Sequence, residues 1–172
     1  EAPDTVIKQV ECDMSDTYYP EKPLVPYIKV TQDRVVLEIQ RGCIRGCRFC
    51  QAGFVYRPVR EKKAETVLKG ARRLVDTSGH EEISLISLAT SDYTCFPELA
   101  NGLLDEYKQK EISISLPSLR IDSFSLDLMQ KIQEVRKSSL TFAAEAGTQR
   151  LRNVINKNLT EENILNGCKL AF

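Results

Sequence analysis

The chain is 172 residues long, and its 24 basic and 24 acidic side chains cancel. A molecule without net charge has no global field to draw in nucleic acid or a membrane surface. Hydrophobic residues make up 42%, yet no apolar run approaches the roughly 20 residues of a membrane span, and no charged-then-apolar start resembles a signal peptide.

Residues 1–34 carry Pro3, Pro20, Pro23 and Pro26 among the aromatics Tyr18, Tyr19 and Tyr27. That is connector chemistry, with aromatics available to pin the segment onto a domain surface. The chain opens on Glu1 without an initiator Met and closes on Lys169-Leu170-Ala171-Phe172 inside a helical pattern with no stop signal. These ends predict a piece of a longer protein, with 1–34 a linker from an upstream domain; a processed amino terminus and a packed C-terminal helix are the alternative.

Val35-Val36-Leu37-Glu38-Ile39-Gln40 is a β-branched run and predicts the first strand. It feeds directly into Arg41-Gly42-Cys43-Ile44-Arg45-Gly46-Cys47-Arg48-Phe49-Cys50. Six cysteines placed at random in 172 positions would produce this C-x3-C-x2-C spacing with a probability of roughly 0.007. Three thiolates in one short loop can hold three irons of a [4Fe–4S] cluster and leave the fourth open to a small ligand. Structural zinc is the rival, but such sites are closed by four ligands, usually paired C-x2-C knuckles or histidines. Only Cys47 and Cys50 have knuckle spacing, and the single histidine, His80, lies beyond a predicted helix. A disulfide framework would leave one of the three unpaired and needs an oxidising compartment. Free cysteines fit a reducing cytoplasm. His80 is expected to be exposed in a loop, and Cys12, Cys95 and Cys168 to be small buried or linker residues.

Ala64, Val67, Leu68, Ala71, Leu74 and Val75 recur at helical spacing and predict one apolar helix face, ended by Thr77-Ser78-Gly79. Ile83–Leu88 is the second strand. Pro97 opens the next helix, where no amide donor is needed, with Leu99, Leu103, Leu104 and Tyr107 inward. Ile112–Leu116 alternates strictly and is the third strand. Ser125 is the candidate cap of a third helix that turns Leu126, Met129, Ile132 and Val135 inward. Leu140–Ala144 is the fourth strand, followed by helices around Leu151–Ile155 and Glu161–Leu170. Near-even strand spacing with a helix in each gap predicts βαβ units and a parallel sheet. Parallel order brings every strand's carboxyl end to one rim, where βα barrels carry their chemistry. The cysteine loop, Ala89–Tyr93, Pro117–Asp122 and Glu145–Arg150 all land there.

The cysteine loop, with aromatic Phe49 before its last cysteine, resembles the cluster loop of the radical S-adenosylmethionine (SAM) superfamily. The stretches Cys50–Glu61, Ser91-Asp92-Tyr93, Leu116–Phe124 and Glu145–Arg152 are similar to a bacterial group of radical SAM proteins of unassigned substrate. In that group the barrel follows a cobalamin-binding-like domain. The resemblance runs from about Tyr19 to the end and implies an α/β fold, a partial TIM-like barrel. The chain would supply the first four βα units, residues 35–172, of a (βα)6 core. It implies that Cys43, Cys47 and Cys50 ligate a [4Fe–4S] cluster and that SAM chelates the open iron. One electron would then cleave SAM to methionine and a 5′-deoxyadenosyl radical, for hydrogen abstraction from, or methylation of, an unassigned substrate.

Implied cofactor-binding positions are Phe49, Thr90, Ser91, Asp92, Arg120 and Glu145. The Gly-Gly-Glu segment common after strand two is replaced here by Ala89-Thr90-Ser91-Asp92, and strands five and six are missing. Implied partners are a small-molecule or RNA substrate, a reductant such as flavodoxin or ferredoxin, and cobalamin only through a domain outside this chain. Glu145 has an alternative as an ion-pair partner of Arg120 or Arg150, and Arg120 with Asp122 as a structural pair. Arg41, Arg45, Arg48, Arg57 and Arg60 read as compensation for thiolate and carboxylate charge, ahead of phosphate binding. The competing function is an iron–sulfur electron-transfer module or a zinc-stabilised non-catalytic domain.

Overall fold

Alternation along the first strand decides the layering. Val35, Leu37 and Ile39 are 2%, 4% and 0% exposed, whereas Val36 between them is 37% exposed. The computed structural model describes residues 3–15, 17–123, 126–135 and 140–171. Strand β1 (Val35–Glu38) turns away at its end into β2 (Gln40–Arg41). A four-residue helix, α1 (Ala52–Val55), and β3 (Arg60–Glu61) follow. Then come α2 (Ala64–Ser78), β4 (Glu82–Ile86), α3 (Phe96–Tyr107), β5 (Ser113–Ser115) and α4 (Leu126–Gln133). The chain continues through α5 (Gln149–Val154) and α6 (Glu161–Ala171).

The main sheet has the order β1-β4-β5, all parallel, with Val35 beside Ile83 and Ile83 beside Ile114. The apolar stripes foreseen for α2 and α3 are the faces that cover it: Val67, Leu74, Leu99, Leu103 and Tyr107 are all buried in one core with Ile83 and Leu85. This α/β arrangement of parallel strands and covering helices is that of a partial TIM-like core, and among the described residues the sheet is not closed.

Three details differ from expectation. The first strand is shorter than Val35–Gln40, because Gln40 and Arg41 leave the sheet to pair antiparallel with Glu61 and Arg60. Residues 140–144 join no strand among the described residues, although their burial alternates and Leu140 packs on the core. Two alanines in five residues give weak strand propensity, and an edge position offers only one ladder. His80 is not exposed: its side chain is 10% accessible and its Nδ1 lies 3.1 Å from Asp33 Oδ1. In α4, Leu128 and Ile132 are buried, and Val135 packs beside them. Ser125 and the side chains of Leu126 and Met129 lie outside the described residues, as does Phe172.

Candidate metal and cofactor site

The short β2–β3 ladder gives the cysteine loop its base. Residues 42–59 leave and return through that pair, so the three cysteines and α1 form one excursion tied at its neck. Gln40 Nε2 donates to Glu61 Oε1 at 2.9 Å, and the Lys62 amide donates to Ile39 O at 2.9 Å. Gly42, the first loop residue, has φ 89°, and a Cβ there would sit 2.6 Å from Tyr56 O. Only glycine satisfies both the left-handed backbone and the close approach.

Beyond that neck, Cys43, Cys47 and Cys50 are half-buried free thiols. All three line one cavity of about 370 Å³, together with Phe49, Arg120, Glu145 and Lys157. Thr141, Ala143 and Glu145, two residues apart, also line it. Three soft thiol donors around one cavity fit a cluster whose irons each take one thiolate, and the volume falls in the range of small-molecule sites. Among the described residues no three His, Cys, Asp or Glu side chains gather around a single ion.

A charged network links the loop to the neighbouring rims. Arg45 Nε donates to Asp92 Oδ2 at 2.8 Å, and Arg45 Nη1 lies 3.8 Å from Asp122 Oδ2. Arg120 grips Asp122 with two hydrogen bonds of 3.0 and 2.9 Å, and its amide donates to Ser91 Oγ at 3.2 Å. Burial would raise the Asp122 pKa, but Arg120 and then Arg45 outweigh it and hold the carboxyl below its usual range. The hydrogen bonds from Arg45 to Asp92 likewise keep that guanidinium firmly protonated.

The structure separates the expected cofactor residues into two sets. Phe49, Arg120 and Glu145 line the cavity with the cysteines. Thr90, Ser91 and Asp92 form a turn behind it, and Ala89 contributes the wall in their place. Thr90 is fully buried, with its hydroxyl donating to Pro117 O at 2.7 Å. Glu145 pairs with Lys157 at 3.3 Å, a partner different from Arg120 or Arg150. Lys157 escaped the sequence reading. Its only signal is a lysine between Asn156 and Asn158, both with φ near 55° (55° and 54°), in the turn after a short helix.

The five loop arginines are engaged within the chain. Arg41 pairs with Glu38 and Arg45 with Asp92, Arg48 and Arg60 donate to backbone carbonyls, and Arg57 stacks over Phe54 at 5.1 Å.

Residues 37–172 match the radical SAM superfamily, and the chain belongs to that superfamily. Two proteins of Methanocaldococcus jannaschii are similar to it. The uncharacterized protein MJ0966 is 35% identical over 95% of this chain and 37% of its own length. The putative methylthiotransferase MJ0865 is 24% identical over 80% of this chain and 32% of its own length. The chain thus spans about a third of the length of these relatives. No helix among the described residues is long and apolar enough to cross a membrane.

Proposed function

We propose that the chain is the cluster-bearing part of an enzyme that binds a [4Fe–4S] cluster through Cys43, Cys47 and Cys50 and cleaves SAM reductively. The observation that carries this reading is the meeting of three free thiols with Phe49, Arg120, Glu145 and Lys157 around one cavity. Bound there, the cluster and SAM supply one-electron cleavage of a carbon–sulfur bond and a hydrogen-abstracting 5′-deoxyadenosyl group. The protein's own residues bind and orient. Arg45 and Arg120 each hold their carboxylate through two hydrogen bonds, whereas Lys157 meets Glu145 through one contact of 3.3 Å, so Lys157 is the cavity cation that a ligand carboxylate can engage most readily. Its partner Glu145, more exposed at 36%, is placed to accept from an amine or ribose hydroxyl. Leu88, Leu119, Ile121 and Leu159 keep the cavity wall apolar and limit water.

Further parts of the proposal concern the whole protein. Hydrogen abstraction or methylation of a substrate follows, in the cytoplasm, with a flavodoxin or ferredoxin as reductant. The loop arginines are engaged with Glu38, Asp92, backbone carbonyls and Phe54, which leaves them less free for phosphate and favours a small-molecule substrate ahead of RNA. A cobalamin-binding-like domain upstream rests on the segment resemblances alone.

Anaerobic reconstitution tests the reading. About four irons per chain are expected, lost on changing Cys43, Cys47 or Cys50 to Ala and retained in Cys12, Cys95 and Cys168 variants. SAM should perturb the reduced cluster's paramagnetic resonance spectrum, and dithionite should then yield 5′-deoxyadenosine. A spectrum indifferent to SAM would favour an electron-transfer module, and stoichiometric zinc without an iron chromophore would favour a structural metal.

A further inference from the structure

The cysteine loop has few hydrogen bonds of its own. The Cys50 amide donates to Cys47 O at 3.1 Å, and the Arg45 amide reaches Cys43 Sγ at 3.4 Å. On both sides of Cys47 the loop is held from elsewhere, by the turn that follows α5. Asn156 Nδ2 donates to Gly46 O at 2.8 Å, across 110 positions of sequence. The Arg48 amide donates to Ile155 O at 2.9 Å, and the Arg48 guanidinium donates to Val154 O. Gly46 permits this approach, since a Cβ there would lie 3.0 Å from Asn156 Nδ2.

The turn is a firm anchor. Arg152, only 3% exposed, donates to Leu159 O at 2.8 Å and Ala146 O at 3.0 Å. The Lys157 amide closes back on Arg152 O at 2.9 Å, and Arg120 Nη2 donates to Lys157 O at 3.2 Å. Asn156 itself has φ 55°, a left-handed conformation that asparagine tolerates better than other side-chain-bearing residues. Its backbone is set by the turn, which aims its amide at Gly46 O.

Resting on the assignment of Cys43, Cys47 and Cys50 as cluster ligands, we propose that Asn156 is a positioning residue that fixes Cys47. By clamping Gly46, it sets the spacing between that thiol and the Lys157 ammonium across the cavity. The next residue after the clamp is Lys157, so one turn places both. A group bound between thiol and ammonium would then meet two contacts held by one turn, which is the preorganisation a reacting ligand needs.

Asn156→Gly isolates the side chain, because glycine keeps the left-handed turn and removes only the amide. The measurement is made on the full-length protein in its metal-free, reduced form, by alkylation with iodoacetamide and mass spectrometry. The Cys47 to Cys43 labelling ratio should rise about fivefold, the change expected from losing one neutral hydrogen bond. Cys43 is the internal reference, since general loosening would raise both rates. Asn156→Asp, which also tolerates the turn but faces Gly46 O with an acceptor, should raise the ratio at least as far. Reconstituted Asn156→Gly should lose iron to a chelator faster by a similar factor. A wild-type ratio in both variants, even with faster labelling overall, overturns the proposal. If the ratio rises in a protein that takes up no cluster, the cofactor assignment fails while the clamp on Cys47 stands.

Discussion

Asp122 joins two arginines and is the residue through which acid should reach the site. Its carboxyl is held below the usual range, so the folded chain binds fewer protons there than the unfolded chain. The stabilisation is therefore complete above the unfolded pKa of about 4, and is lost as pH falls through the lower folded value. Asp122→Asn is expected to cost about 1–3 kcal/mol at neutral pH, the worth of hydrogen bonds to a charged group. The difference from wild type should shrink below about pH 4. Urea unfolding midpoints measured from neutral to acid pH check this, and a gap independent of pH would show that charge is not the cause.

At the scale of elements, the excursion between β2 and β3 is tied at a narrow neck. Two residue pairs close its neck, and Gly42 sits against the carbonyls of Tyr56 and Pro58 at 2.6 and 3.0 Å from where a Cβ would be. Gly42→Ala should cost about 1–3 kcal/mol in backbone strain and should splay the loop without touching the α2–α3 core. The expected result is a lower melting temperature with unchanged far-ultraviolet dichroism, and reduced iron uptake on reconstitution. Full iron content at wild-type stability would mean that the neck can relax elsewhere. At the other anchor, Thr148 caps α5 by accepting from the Leu151 amide at 3.3 Å. Thr148→Ala should cost about 1 kcal/mol, read as a shifted denaturation midpoint.

At the scale of the whole molecule, the β1-β4-β5 sheet has two outer edges. The Tyr19 hydroxyl donates to Val36 O at 2.6 Å, and Lys62 lies 4.2 Å over the Tyr19 ring. The segment expected to be a linker therefore covers part of the β1 edge. The edge of β5 presents only Ser113–Ser115. Bare edges invite pairing with another chain. The 172 residues expressed alone are expected to associate as concentration rises, seen by sedimentation velocity. A monodisperse monomer throughout would show that the edges are protected in this chain.

Sequence alone determined the features that depend on near neighbours. The cysteine spacing is contained in eight residues, Cys43–Cys50, and the apolar stripes of α2 and α3 are set by the helical period. The strand expected at Leu140–Ala144 did not form among the described residues, yet Thr141 and Ala143 still line the cavity. Tertiary structure decided what meets across long separations. That Thr90–Asp92 support the cavity from behind follows from how the turn after β4 packs on Pro117 and Ser118. That Glu145 chooses Lys157, and Asn156 reaches Gly46 across 110 positions, depends on loop closure and packing of the whole chain. Local periodicity carries no record of such contacts, because pairs so distant are brought together only once the shared core has fixed both ends.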